Sequence, residues 1–285
     1  MTDSDIEIRG LTLADVLSVM RVCNQAFLEH ARFPRMGTKV IRHVREWPDW
    51  QWGAFGGEGL AGFLLTEPRD GKARVAIRLI ATDPAARGRG VGGRLVARLE
   101  ERARAEGVPL LSVGTPFAGG FYEKCGFSVT RTSLKVVRDL VQKPTPRPEG
   151  VEISTLDYDS AARLLDLFAD DDERAKFLGA FCTHYREHRG LALKVSAGGR
   201  PLGVAVGRVS EFYKDFAEIA YWQVFDGGPE KLLRAFEFTV SGMGLREVGL
   251  AVDAEREAEF AELGYARAER DYYWTMLTLE KPLDA

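Results

Sequence analysis

The sequence predicts two copies of one α/β design, and three observations carry that reading. A run of alternating prolines, Lys143-Pro144-Thr145-Pro146-Arg147-Pro148-Glu149-Gly150, crosses the middle of the chain. Prolines at that spacing remove backbone donors and favour an extended, semi-rigid connector. The two sides open alike, Ile6-Glu7-Ile8 and Val151-Glu152-Ile153, and each opening leads into an amphipathic helix. Late in each side a helix ends at a glycine before an aromatic, Lys124-Cys125-Gly126-Phe127 and Glu262-Leu263-Gly264-Tyr265. Glycine at that place suits a left-handed C-cap. The expected domains are 1–142 and 151–285, with 143–150 as linker. A chain of 285 residues is comfortable for two such cores.

In the first half Leu13, Val16, Leu17 and Met20 lie at helical spacing, as Ala161, Leu164, Leu165 and Phe168 do in the second. Hairpins follow. Trp52-Gly53-Ala54-Phe55 and Leu60-Ala61-Gly62-Phe63-Leu64 flank a Gly/Glu turn. Leu191–Val195 and Leu202–Val206 flank Gly198-Gly199. The β-branched content of Arg74–Thr82 reads as a strand, which Asp83-Pro84 ends. The next helix carries Val91, Leu95 and Leu99 on one stripe with Val96 beside it; Gly107 closes it and Pro109 forbids its return. A short strand, Leu110–Val113, comes next. Phe33, Pro34, Trp47, Trp50 and Trp52 read as core rather than as a pocket wall.

Composition excludes several classes. Apolar residues make up 45% and charged residues 28%, and the net charge of −3 is too mild for bulk attraction to nucleic acid. The arginines between Arg87 and Arg104 are offset by Glu100, Glu101 and Glu106, the pattern of a solvated helix face. Cys23, Cys125 and Cys182 are sparse and widely spaced, which fits a reducing cytosol. The acidic start, Met1 to Asp5, has no apolar leader, and no run approaches the roughly 18 apolar residues of a membrane span. A cytoplasmic location is therefore expected. His184-Tyr185-Arg186-Glu187-His188 fits a His-x-x-Glu-His zinc pattern. A third ligand is not apparent, and no metal is expected.

Between the strand and helix of the first half stands Ala85-Ala86-Arg87-Gly88-Arg89-Gly90-Val91-Gly92-Gly93. A helix N-terminus offers unpaired N–H groups and the positive end of a dipole, and glycines let backbone approach a phosphate closely. In outline this is a pyrophosphate cradle, to which Arg87 or Arg89 can add charge. Gly88, Gly90 and Gly93 match the dinucleotide spacing. The dinucleotide fold, however, puts its loop after the first strand and an acid about twenty residues on. Here the loop follows a run of strands, and Leu110–Val113 ends without an acid. A Walker loop is excluded because no Gly-Lys-Ser/Thr follows.

The run Arg87-Gly88-Arg89-Gly90-Val91-Gly92 resembles the Arg/Gln-x-x-Gly-x-Gly/Ala loop of the GNAT superfamily of N-acyltransferases. Ala118 through Tyr122 to Glu123-Lys124-Cys125-Gly126-Phe127 resembles that family's later motif, in the right order. The resemblance covers roughly residues 5–140, and 151–280 only as a degenerate echo. It implies an α/β (α+β) fold of two GNAT-like domains, each a mixed, mostly antiparallel twisted sheet flanked by helices. It also implies acetyl-CoA as cosubstrate and transfer of an acetyl group to an amine of a small molecule or peptide by direct attack. The backbone of Ile80, Ala81 and Thr82 would then hold the pantetheine arm and acetyl group. Arg87, Gly88, Arg89, Gly90, Val91, Gly92 and Gly93 would hold the pyrophosphate, and Tyr122 would protonate the departing thiolate. Two positions depart from the pattern: Thr115 stands where the family often has Asn, and Thr82 replaces a frequent valine.

Acyl transfer to an amine needs a neutral amine, a stabilised oxyanion and a protonated leaving thiolate. A backbone N–H of the Ile80–Thr82 stretch can serve the oxyanion. A phenol with a pKa of about 10 stays protonated at neutral pH. Glu29, His30, His43 and Glu46, after the first helix, fall where the acceptor pocket is usually shaped, though each reads as an ordinary surface group. In the second half Val224-Phe225-Asp226-Gly227-Gly228-Pro229-Glu230 lacks the Arg or Gln, and its acids repel a pyrophosphate. That half is expected not to turn over acetyl-CoA. The alternative function is a non-catalytic acetyl-CoA-binding sensor or regulator. A monomer or a homodimer is compatible with the sequence.

Overall fold

The computed structural model describes residues 6–27, 36–57, 59–116, 118–185, 190–210, 215–268 and 275–283. Its elements in chain order begin with β1 (Glu7–Gly10), α1 (Val16–Phe27), α2 (Met36–Glu46), β2 (Gln51–Gly56), β3 (Gly59–Arg69) and β4 (Arg74–Thr82). Then come α3 (Val91–Ala105), β5 (Leu110–Thr115), α4 (Gly119–Lys124) and β6 (Ser128–Asp139). The second half gives β7 (Glu152–Thr155), α5 (Tyr158–Ala162), α6 (Asp171–Tyr185), β8 (Gly190–Ala197), β9 (Arg200–Val209) and β10 (Phe216–Val224). It closes with α7 (Pro229–Gly242), β11 (Glu247–Asp253), α8 (Glu257–Glu262), β12 (Ala266–Arg267) and β13 (Met276–Pro282). Among the described residues no helix is long and apolar enough to cross a membrane.

The chain forms two compact units, Met1–Ser133 with Trp274–Ala285, and Leu134–Tyr273. This division differs from the expected 142/151 boundary in two ways. The change of unit falls inside β6, and the last strand, β13, belongs with the first unit. There β13 runs antiparallel to both β5 and β6, with Leu277 opposite Thr115 on one side and Thr132 on the other. Lys281 fastens it from the end of the chain: its Nζ lies 2.6 Å from Glu100 and 2.7 Å from the Cys125 carbonyl oxygen. The proline run marks stiff chain, and strand pairing, which is non-local, decides the units.

In the first unit the sheet order is β1-β2-β3-β4-β5-β13-β6. All its pairs are antiparallel except β4 with β5. Alternation along β3 splits the core. Phe63 and Leu65 face α1 and α2, with Val19, Val22, Cys23, Val40 and Ala81, while Leu64 faces α3 with Val75, Ile77, Leu95 and Leu99. The α3 stripe is buried as its spacing predicts. Trp50 and Trp52 are core, and Trp47 packs against them. The α1 stripe is not the predicted one. The α-helix begins only at Val16, so Val19, Val22 and Cys23 form its buried face, and Leu13 and Leu17 are exposed.

Before α1, Asp15 receives both arms of Arg9 at 2.8 and 2.9 Å and the Thr12 N–H at 2.8 Å. The Arg9 bonds, with Thr12 helping, hold its carboxyl at about 2, below the ordinary 3.8. A depressed carboxyl stabilises the fold above its unfolded pKa and loses that contribution as pH falls through the folded value. Asp15→Asn is expected to cost about 1–2 kcal/mol at pH 7. In urea unfolding the gap between the two proteins should close as pH drops from about 4 toward about 2. A gap independent of pH would count against this ion pair.

The second unit has the order β6-β11-β10-β9-β8-β7, with β12 beside β6. Its first helix is shorter than predicted. Asp157 caps α5 through the Ser160 N–H, but α5 ends at Ala162 and a 3-10 turn, Leu165–Leu167, follows. Asp170 starts a new helix by accepting from the Glu173 N–H, and Arg174 Nε takes the Leu165 carbonyl. Leu164 and Phe168 are nonetheless buried, as predicted.

Candidate active site

The glycine loop forms as the sequence demands. Asp83 ends β4, accepting from the Ala85 N–H at 3.0 Å and pairing with Arg21 at 2.7 Å. Gly88 and Gly90 take φ of +79° and +72°, a region other residues avoid. Gly90 is the N-cap of α3 and offers no side chain, and the helical ladder begins with the Arg94 N–H to the Gly90 carbonyl at 3.0 Å. The first-turn N–H groups of Val91, Gly92 and Gly93 therefore have no helical acceptor. A Cβ added at Gly88, Gly90 or Gly93 would meet no atom of the described residues within 4 Å. Arg87 donates to the Ala26 carbonyl at 3.2 Å, and both Arg87 and Arg89 are exposed.

Behind the loop two strands part. β4 and β5 pair in parallel only at Val75–Leu111, Ala76–Ser112 and Ile77–Val113. On the other edge of β4, Thr66 lies opposite Ile77 and Leu65 opposite Leu79, so Arg78 is a bulge with no partner. Bulges bend a strand and end pairing. Past it, Leu79 to Thr82 remain paired to β3, while Gly114 and Thr115 of β5 pair with β13. Among the described residues, the β5-facing edge of β4 thus has no strand partner where Ile80, Ala81 and Thr82 lie. The bulge was not foreseen; a single arginine inside the apolar run Val75–Ile80 was its one sequence signal.

α4 brings the third part. Thr115 Oγ1 accepts from the Ala118 N–H at 3.2 Å, a contact at the start of the helix. The Tyr122 ring is 3% exposed and stands edge-on to Phe121 at 5.0 Å and Phe127 at 5.6 Å. Its hydroxyl has no hydrogen-bond partner among the described residues. Burial, with a smaller contribution from Cys125, pushes its pKa above the usual phenol value. Gly92 is the meeting point of the parts: a Cβ there would stand 3.1 Å from the Phe121 ring and 3.8 Å from Thr82 Oγ1. Loop, strand end and the Tyr122 helix therefore converge.

Residues 20–127 match the model of the acetyltransferase (GNAT) family. The match spans the glycine loop and the Tyr122 helix. Glucosamine 6-phosphate N-acetyltransferase 1 of Oryza sativa subsp. japonica is 51% identical over 49 residues, 17% of this chain and 30% of that protein. The chain thus matches less than a third of that relative's length. The GCN5-related N-acetyltransferase from Sphaerobacter thermophilus shares the fold at TM-score 0.69 and 17% identity, over 98% of this chain and 96% of that one. A tandem GNAT protein from the clavulanic acid biosynthesis pathway aligns at TM-score 0.71 and 17% identity, over 99% of both chains. A mostly antiparallel sheet flanked by helices is the fold these structures share with both units.

The second unit repeats backbone features of the first. β10 and β11 pair in parallel from Phe216 to Ile219, and Ala220 is the bulge against β9. Gly203 sits beneath α7, a built Cβ 3.1 Å from Leu232, as Gly62 sits beneath α3, a built Cβ 2.8 Å from Val91. Gly126 and Gly264 both take the left-handed conformation, with φ of +84° and +86°. Counting back from them sets Phe260, which has no hydroxyl, against Tyr122. Pro229 at the first turn of α7 lacks an N–H, and Asp226 and Glu230 flank it.

The other sequence candidates separate. His43 is fully buried rather than a surface group; Nδ1 lies 2.9 Å from the Lys39 carbonyl, and burial lowers its pKa. Glu46 is exposed. Glu29, His30, Phe33 and Pro34 lie outside the described residues, as do Arg186, Glu187 and His188 of the zinc-like pattern. Among the described residues no three or more His, Cys, Asp or Glu side chains gather as a metal site would require.

Proposed function

We propose that the first unit is an acetyl-CoA-dependent N-acetyltransferase that acetylates an amine of a small molecule or peptide by direct attack. The observation that carries this is the parting of β4 from β5 at Arg78, which frees a strand edge between an uncapped helix N-terminus and a buried phenol. Acetyl-CoA supplies the activated acyl group. The amides of residues 88–93 are suited to its pyrophosphate, with Arg87 and Arg89 adding charge at the rim. The free edge of Ile80, Ala81 and Thr82 is suited to the amide-bearing arm, and an N–H there to the oxyanion. Tyr122 holds a proton for the thiolate. Because burial raises its pKa, it stays an O–H donor across neutral and mildly alkaline pH. The second unit, with Phe260 and an acid-flanked Pro229 turn, is assigned no turnover.

A thiol-release assay with acetyl-CoA and a panel of amines tests this reading. Tyr122→Phe should lower kcat about 10²- to 10³-fold and leave acetyl-CoA affinity nearly unchanged, the mark of a group acting on a proton in the transition state. Tight acetyl-CoA binding without thiol release for any amine, and no effect of Tyr122→Phe, would instead make the protein a sensor.

A further inference from the structure

The bulge that parts the strands turns Arg78 toward α2, where it joins an unbalanced group of charges. Arg78 Nε lies 3.2 Å from Glu67 and Arg69 Nη2 lies 3.4 Å from the same carboxylate. Two cations thus share one acid. Lys39 and Arg42, both on α2, add two more. Arg42 reaches Glu46 only at 3.9 Å, with both side chains half exposed. The Lys39 ammonium is half-buried and has no ion pair or hydrogen bond among the described residues. Burial, and then repulsion from Arg78 and Arg42, lowers its pKa. Arg69 also has a buried Nε with no partner. Leaving cations underpaired is costly unless an anion visits.

The place of the group matters as much as its charge. Arg78 lies at the apex where β4 leaves β5, two residues before Ile80, where the strand edge proposed to hold the acyl group begins. An amine arriving beside it meets positive charge. That repels a polycation, and it favours the neutral, attacking form of a single amine. We infer that the acceptor is a primary amine that also carries an anionic group, a phosphate ester or a carboxylate, held by Arg78 with Lys39 and Arg42. This deepens the acetyltransferase reading and rests on it for the reaction, though not for the binding.

Calorimetric titration of the full chain, with and without coenzyme A, tests the inference with phosphoethanolamine, β-alanine, ethanolamine and putrescine as probes. Phosphoethanolamine or β-alanine should bind at least about tenfold more tightly than ethanolamine, the size of one charged hydrogen bond, and putrescine most weakly. Comparison of the first two probes separates a phosphate site from a carboxylate site. Arg78→Gln should erase most of that preference and leave ethanolamine unaffected. Lys39→Met should do the same, and it serves as the second variant if Arg78→Gln melts early. Equal binding of ethanolamine, tighter binding of putrescine, or an undiminished preference in both variants overturns the anionic class. Thiol release with the same panel keeps the two readings apart. Selective anion binding without release refutes the transferase and leaves the anion subsite standing. Release fastest with putrescine refutes the subsite and leaves the transferase.

Discussion

Glu237→Ala should destabilise the second unit by about 3–5 kcal/mol, the cost of removing one partner from a buried charge cluster. Glu237 lies on α7 and is fully buried. Around it stand Arg138 at 3.1 Å, Arg234 at 2.9 Å, the Thr145 hydroxyl at 2.6 Å and the Tyr265 hydroxyl at 2.7 Å. The arginines extend the cluster, both donating to the Leu263 carbonyl at 2.8 and 2.9 Å. One carboxylate thereby ties β6, the proline connector, α7 and the end of α8 together. Truncation strands two cations, of which Arg138 is 8% exposed, and leaves two hydroxyls without their acceptor. Glu237→Gln keeps the shape and should lose less. Denaturant unfolding followed by hydrogen exchange would read the loss in the second unit; a cost under about 1 kcal/mol for the alanine variant would show the cluster relaxing into water.

That cluster was invisible in the sequence, and the reason is general to what was missed. Glu237 interrupts an apolar helix, but its partners are 92 and 28 residues away in the chain for Thr145 and Tyr265. The Arg78 bulge likewise exists only relative to β3, and β13 declares its unit only through β5 and β6. What could be read was local. The left-handed Gly126 and Gly264, the Arg74–Thr82 strand and the α3 stripe each follow from a few neighbouring residues. Pattern alone also misassigned the face of α1. Two stripes share helical spacing there, and the late start at Val16 chooses between them.

The two units show what turns a shared scaffold into a candidate site. Both keep the bulge, the parted strands and the glycine beneath the following helix. These features belong to backbone geometry. The chemistry is carried by fewer residues: donors at a helix start that no proline removes, no acid beside them, and a hydroxyl on the short helix. The second unit has Pro229 at the helix start, Asp226 and Glu230 beside it, and Phe260 on its short helix. Retention of its bulge and its glycine is what stability demands of the sheet, and it need not imply a ligand there.

The loop of the first unit can be tested by a change that should spare the fold. Gly90→Glu places a carboxylate before the α3 N-terminus. The positive φ costs a non-glycine residue roughly 1–2 kcal/mol, and a built Cβ meets no atom of the described residues within 4 Å. A carboxylate at a helix start recovers about 0.3–1 kcal/mol through the dipole. The melting temperature should therefore move only slightly. Acetyl-CoA binding should suffer far more, because the new acid takes the same amides and repels the pyrophosphate. A weakening of at least about 100-fold, near 2.7 kcal/mol, is expected by calorimetry. Gly90→Ala carries the same backbone strain without the charge and should weaken binding much less, which separates geometry from electrostatics. If Gly90→Glu binds acetyl-CoA within a few-fold of the parent, the pyrophosphate does not lie on this helix and the assignment of residues 88–93 fails. If the alanine variant loses as much as the glutamate one, the left-handed backbone matters and charge does not.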